Sequence, residues 1–187
     1  MNIRETVASA LKWMMAGRFA GQIISWVATI LVIRILAPAD YGLMALAVAL
    51  VGFLALFEEM GLGSAIVQSA ELKPRLLQQI FGLLILINLM LYAGLWGLAA
   101  LAAEAFNEPQ LSPIVRTVGL QLLINIWYTI PDAVLIRRMD FRAKSIVQLA
   151  MMIVGSLLTL VLAMGGFGVW SIVFGNLGGA IAQVVIL

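Results

Sequence analysis

The chain has 187 residues, of which 64% are hydrophobic and only 11% are charged, and its mean hydropathy is +1.11. A soluble globular domain has roughly 45–50% apolar and about 25% charged residues, so this composition excludes one and indicates an integral membrane protein. The absence of Cys and His excludes Cys/His zinc sites and Cys- or His-based catalysis, and a net charge of +2 gives no indication of a nucleic-acid partner.

Hydrophobic segments follow one another along the chain, each close to the length of about 20 residues that a helix needs to cross the hydrocarbon core. The last uncharged stretch, 145–187, would be about 65 Å long as one helix, so it must fold back once. We place that turn at Gly165, Gly166 and Gly168, because glycine readily adopts turn conformations. The sequence therefore predicts an all-α bundle of six transmembrane helices, at about 13–35, 41–63, 76–103, 113–135, 145–164 and 168–187.

The positive charges indicate how these helices are oriented, because short cytoplasmic loops hold an excess of Lys and Arg. Eight of the eleven Lys and Arg fall on one side of the predicted bundle. They are Arg4, Lys12, Lys73, Arg75, Arg137, Arg138, Arg142 and Lys144. Both termini are therefore predicted to be cytoplasmic. The first segment is longer than the apolar region of a signal peptide, so we expect it to remain as a helix.

A polar stripe runs along the first predicted helix. Arg18, Gln22, Ser25 and Thr29 recur at i, i+4, i+7 and i+11, which the 3.6-residue helical period places on one face. Arg18 has two interpretations: it lines a polar cavity, where it could contact a phosphate through two N–H donors, or its long side chain reaches back to the cytoplasmic headgroups.

The fourth predicted helix repeats this pattern. Its polar face consists of Thr117, Gln121, Asn125, Tyr128 and Asp132. Asp132 could take part in a cavity, or it could pair with Arg137 or Arg138 near the end of the same helix. Weaker stripes occur on the fifth helix, with Ser145, Gln148, Ser156 and Thr159, and on the third, with Asn88 and Tyr92.

These stripes have two explanations. Polar side chains can simply join helices by hydrogen bonds worth about 0.6 kcal/mol each. Stripes that include an Arg and an Asp favour helices around a water-accessible cavity, because intramembrane charges usually face one. We predict that Arg18, Gln22, Ser25, Thr29, Gln121, Asn125, Tyr128 and Asp132 contribute to such a cavity. The G-x-x-x-G spacings at Gly17 to Gly21 and Gly175 to Gly179 predict close helix packing instead.

Four motifs resemble those of bacterial polysaccharide and O-antigen flippases, the Wzx-like branch of the multidrug, oligosaccharidyl-lipid and polysaccharide exporter superfamily. They are Leu36-Ala37-Pro38-Ala39-Asp40-Tyr41-Gly42, Glu59-Met60-Gly61-Leu62-Gly63-Ser64-Ala65-Ile66-Val67-Gln68, Arg138-Met139-Asp140-Phe141-Arg142 and Gly168-Val169-Trp170-Ser171. Each motif is weak alone, and their order and spacing over the whole chain carry the resemblance.

The resemblance implies two six-helix lobes around a central cavity, of which residues 1–187 match the N-terminal lobe of what we expect to be a longer chain. It implies alternating-access transport of undecaprenyl-pyrophosphate-linked oligosaccharide across the bacterial inner membrane, with no catalysis and no cofactor. The partners implied are the lipid-linked oligosaccharide, membrane lipids, the missing C-terminal lobe or a second copy, and, as a further candidate, the polysaccharide polymerase machinery. No nucleic-acid partner is expected.

Other functions stay open at this point. A multidrug exporter of the same superfamily would share the architecture but should have a more aromatic and acidic pocket. A scaffold or assembly subunit is a third possibility. A membrane-embedded transferase would need clustered acidic residues in a polar loop to hold a divalent metal, and the short loops of this chain contain none.

Overall fold

The computed structural model describes residues 15, 19, 21–59 and 74–187, apart from the side chains of 57–59, 74 and 76. These residues form helices and connections without any β-strand, so the prediction of an all-α membrane bundle is confirmed. The helices are α1 (Gly21–Ile33), α2 (Pro38–Glu59), α3 (Pro74–Ala105), α4 (Leu111–Arg137), α5 (Phe141–Met164) and α6 (Val169–Ile186). Five of them, α2 to α6, are long and apolar enough to cross a membrane.

Helix α5 begins four residues before the predicted boundary at 145. The Asp140 carboxylate caps it by accepting a hydrogen bond from the backbone N–H of Ala143 at 3.0 Å, which satisfies a donor at the helix N-terminus. Arg142 and Lys144 therefore lie in the first turn of α5. Their charge had suggested that they belong to the loop before it, and this expectation was wrong. The α4–α5 connection is correspondingly short.

The predicted glycine turn between α5 and α6 is confirmed. Gly165 ends α5 with its N–H bonded to the carbonyl of Val161 at 3.1 Å, and Gly166 and Gly168 have φ of 79° and 54°. Residues with a Cβ rarely adopt these positive φ values, so this chain reversal requires glycine at both positions.

Helices α5 and α6 cross at a contact made by glycines. A Cβ added at Gly175 would lie 2.9 Å from the backbone carbonyl oxygen of Gly155, and one at Gly179 would lie 2.9 Å from that of Met151. Backbone atoms cannot move aside cheaply, so the packing role predicted for the Gly175–Gly179 spacing is confirmed. In the other G-x-x-x-G pair, Gly21 packs against Met152 of α5, and Gly17 lies outside the described residues.

Most buried hydrophobic side chains in the described part of the chain fall into three groups. Helix α4 packs against α2, α3, α5 and α6. The largest group joins α2, α3, α4 and α6 through residues such as Ala47, Leu95, Ile114 and Val173. A second joins α3 to α4, with Leu84 and Ile126 among its members. The third, Val32, Leu36 and Ala163, ties α1 to α5.

Three connections meet at one end of this bundle. A Cβ on Gly168, before α6, would lie 3.5 Å from the Asp40 carboxylate at the start of α2, and Asp40 lines a surface groove together with Glu108 of the α3–α4 connection. We call this the Asp40 end, and we call the opposite end, with the α4–α5 connection, the Lys144 end. Helices therefore alternate in direction, as the predicted topology requires.

Candidate functional site

A pocket of about 230 Å³ opens between α1, α5 and α6, with Tyr41 of α2 on its wall. Apolar residues make up most of its lining, and the polar groups are hydroxyls and one amide. They belong to Ser25, Thr29, Tyr41, Ser156, Thr159 and Asn176. No residue that lines the pocket in the described part of the chain carries a formal charge.

The glycine contact between α5 and α6 creates this pocket. Gly155, Gly175 and Gly179 all line it, and because they have no side chains they leave space beside the crossing that α1 does not fill. Thr159 donates its hydroxyl hydrogen to the carbonyl of Gly155 at 2.8 Å. Its oxygen keeps acceptor capacity, so this hydroxyl can accept a hydrogen bond from a ligand in the pocket.

The polar stripe of α1 only partly coincides with the pocket. Ser25 and Thr29 line it, opposite Ser156 and Thr159 of α5, so the structure brings together residues from two predicted stripes. Gln22 is exposed and does not line the pocket. Arg18 lies outside the described residues, so its role stays a prediction.

The polar stripe of α4 lies apart from the pocket and leads to a second polar group at the Lys144 end. Lys144 of α5 approaches the two carboxylate oxygens of Asp132 at 2.7 and 2.8 Å, and the Tyr128 hydroxyl donates to Oδ1 at 2.6 Å. Gln183 of α6 lies beside the same hydroxyl. We call these four residues the Asp132 cluster; it joins three helices.

This geometry gives Asp132 a partner that the sequence analysis did not consider. The sequence left open a place in a cavity or a pairing with Arg137 or Arg138, and the structure has a salt bridge to Lys144, on the next helix. The reason is the early start of α5, which places Lys144 on a helical turn facing α4 and not in a solvated loop. The Asp132 and Lys144 side chains are 16% and 29% exposed, so the pair is largely shielded.

The remaining polar residues of the predicted stripes on α3 and α4 are at least partly buried. Gln121 and Asn125 are partly buried, and the Asn125 carbonyl accepts a hydrogen bond from the Thr129 hydroxyl at 2.8 Å. Asn88 is fully buried: its amide donates to the Leu84 carbonyl at 3.0 Å, and its side-chain oxygen has no partner within the described residues.

The sequence analysis missed several residues of the pocket. Asn176 lies in a strongly apolar helix and gave no stripe, and Tyr41, Met151 and Met152 resembled ordinary core or interface residues. The sequence contained one signal for Asn176, which directly follows Gly175. If Gly175 and Gly179 are assumed to pack against the preceding helix, the Asn176 amide lies beside the contact between the two helices.

Comparison with known proteins identifies the family. The polysaccharide biosynthesis protein family matches residues 31–187. The chain belongs to this family. The match includes α2 to α6 and begins near the end of α1, so it contains the pocket residues of α5 and α6 and not Ser25 or Thr29.

Two curated relatives agree with this membership. The succinoglycan biosynthesis transport protein ExoT of Rhizobium meliloti (strain 1021) is 27% identical over 168 residues, which are 90% of this chain and 34% of that protein. The lipopolysaccharide biosynthesis protein WzxC of Escherichia coli (strain K12) is 21% identical over 135 residues, 66% of this chain and 25% of that protein. The chain thus spans about a third or less of these relatives. No solved structure gives a significant match. The resemblance read from the four sequence motifs is confirmed.

Proposed function

We propose that the chain forms one helical lobe of a transporter that moves lipid-linked saccharide across the bacterial inner membrane, and that the pocket between α1, α5 and α6 receives part of the saccharide. The observation that carries this proposal is the set of polar groups in the mainly apolar pocket lining, which are hydroxyls and one amide without a formal charge. The transport and lipopolysaccharide biosynthesis functions named for the two relatives support it.

The physical argument starts from the hydroxyl groups of a sugar. On leaving water each hydroxyl loses hydrogen bonds, and burying it without replacement is costly. Ser, Thr, Tyr and Asn side chains can both donate and accept, so the pocket can replace those bonds without matching any charge. Its volume of about 230 Å³ is below the roughly 300–1,000 Å³ of sites for drug-sized ligands, so it would hold only part of an oligosaccharide.

Alternating access needs one helical unit to move against another. We therefore propose that this lobe works with a second set of helices, either further along a longer chain or in a second copy, and that it does not transport alone. The Lys144 end faces the cytoplasm in this proposal, because Arg137, Arg138, Arg142 and Lys144 lie in or beside the α4–α5 connection. The protein is not an enzyme in this proposal.

Export of cationic drugs is the second candidate. Such a pocket should offer carboxylates and several aromatic faces to a positive charge. The described lining contains one tyrosine and no carboxylate, which favours a neutral, hydroxyl-rich ligand.

The test is export of surface polysaccharide in cells that depend on this gene for it. A pocket variant that combines Thr29→Val, Ser156→Ala and Asn176→Leu should reduce export at least tenfold at unchanged membrane abundance. The matched control is Ser145→Ala, on α5 like Ser156. The Ser145 hydroxyl donates to the Phe141 carbonyl at 2.7 Å, and Ser145 does not line the pocket. Normal export by the triple variant, or sensitivity to a cationic drug that changes with it, would contradict the proposal.

A further inference from the structure

Arg116 has no ion-pair partner among the residues that the structure describes, and it does not line the pocket. Arg116 of α4 lies with its guanidinium carbon 4.3 Å from the centre of the Trp96 ring of α3. Its Nε is sealed from solvent and has no hydrogen-bond partner within the described residues. No carboxylate in the described part of the chain lies within ion-pair distance of it. Its positive charge thus lies against an aromatic face, and none of the described carboxylates pairs with it.

The position of Arg116 along α4 places it near a membrane surface. The helix has 27 residues and is therefore about 40 Å long, roughly 10 Å more than the hydrocarbon core. Arg116 follows the first residue, Leu111, by about 7.5 Å. With α4 centred in the bilayer, the backbone of Arg116 lies close to the boundary between hydrocarbon and headgroups, at the Asp40 end.

Trp96 gives this position a second feature that favours a lipid. Its side chain is 49% exposed although it lies within a membrane-spanning segment, so one part of the indole contacts Arg116 and another faces outwards. Tryptophan favours the level of the headgroups, where its ring contacts both apolar and polar groups. The guanidinium lies against this ring, and its terminal N–H groups are donors that could bind the oxygens of a ligand.

We propose that Arg116 and Trp96 form a binding site for the phosphate group of a lipid at the Asp40 end of the α3–α4 pair. Arginine fits this ligand because its planar fork can donate two parallel hydrogen bonds to phosphate oxygens. The hydrocarbon chains of the lipid lie along the exposed apolar flank of α3, beside Trp96. The site is on different helices from the pocket and does not depend on the proposed function.

The lipid phosphate has two possible sources, a membrane phospholipid and a polyprenyl-linked molecule. Both present a phosphate ester on a hydrocarbon chain, and the experiment separates them by competition.

The assay uses the whole chain in neutral detergent with Trp96 as its only tryptophan, the other four having been changed to phenylalanine. Brominated phosphatidylglycerol quenches the fluorescence of a tryptophan that it contacts, and brominated glucosyl diacylglycerol serves as the lipid without phosphate. Half-maximal quenching should need at least fivefold less phosphatidylglycerol than glycolipid. Unbrominated polyprenyl phosphate and unlabelled phosphatidylglycerol are then added as competitors in separate titrations. If polyprenyl phosphate restores the fluorescence at the lower mole fraction, the site binds the polyprenyl lipid. If it does not, the site binds the phospholipid.

Variants test the role of the guanidinium. Arg116→Gln should abolish the preference for phosphatidylglycerol, and Arg116→Lys should retain part of it, because a lysine keeps the charge but not the fork. Arg34→Gln is the matched control, since Arg34 is an exposed arginine in the α1–α2 turn at the same end. Equal quenching by the two lipids, or a preference that survives Arg116→Gln, would overturn the proposal. If Arg116→Gln loses its helical circular dichroism signal, a second pair of variants decides the question. Trp96→Leu should then retain less phosphatidylglycerol than Trp127→Leu in native mass spectrometry, and equal retention would overturn the proposal.

Discussion

The salt bridge between Asp132 and Lys144 gives a quantitative prediction about stability. Ion pairs at a fully exposed site contribute about 0.2–1 kcal/mol, and removal of one partner from a buried pair costs about 3–5 kcal/mol. The two side chains are 16% and 29% exposed, so we place the loss for Asp132→Asn between these limits, at about 2 kcal/mol. That is about 30-fold in the unfolding equilibrium. The asparagine oxygen can still accept from Tyr128, so the change mainly removes the charge.

A double-mutant cycle measures this interaction. Unfolding in mixed micelles, followed by circular dichroism, should show about 2 kcal/mol lost in Asp132→Asn and in Lys144→Met, and less than the sum in the double variant, because no unpaired charge remains. Arg138→Met is the matched control: Arg138 is exposed in the same region, so its loss should change stability by under about 0.5 kcal/mol. Additive effects, or coupling of Asp132 to Arg138 and not to Lys144, would refute the assignment.

Further predictions concern helix packing, membrane topology and the role of Arg18. Gly179→Ala should destabilise the bundle by about 1–3 kcal/mol in the same unfolding assay, because its Cβ meets a backbone carbonyl, whereas Gly97→Ala, with open space around it, should not destabilise it. A single cysteine at Asn107 should react with an impermeant thiol reagent from outside intact cells, and one at Arg142 only after lysis. The reverse pattern would show that the predicted topology is wrong. If Arg18 binds phosphate, Arg18→Lys should partly restore polysaccharide export and Arg18→Ala should abolish it at normal membrane levels; full export by Arg18→Ala would indicate an interfacial side chain.

Features set by local chemistry could be predicted from the sequence. A reversal at Gly166 and Gly168 follows from the need to fold back a stretch too long for one crossing, and both residues have positive φ. The start of α5 was missed because Arg142 and Lys144 were treated as loop residues. Asp140 was the better signal, since an N-cap carboxylate accepts from the N–H three residues later.

The composition of the pocket could not be predicted in the same way. Helical periodicity shows which residues of one helix share a face, but not which neighbouring helix that face meets. Ser25 and Thr29 share a face with Gln22, yet they line the same pocket as Ser156 and Thr159, and Gln22 does not. That pairing depends on how far α5 and α6 approach each other.

Helix α6 links the two polar regions of the lobe. Asn176 lines the pocket and Gln183 lies beside Tyr128 in the Asp132 cluster; seven residues separate them, which is two helical turns on one face and about 10.5 Å along the axis. Between them, Gly179 holds α6 against the backbone of α5. Any shift of α6 along α5 would therefore alter the pocket and the cluster together. Gly179→Ala should thus impair export and weaken the Asp132–Lys144 coupling in the same protein, whereas Asp132→Asn should remove the salt bridge and leave the α5–α6 contact in place.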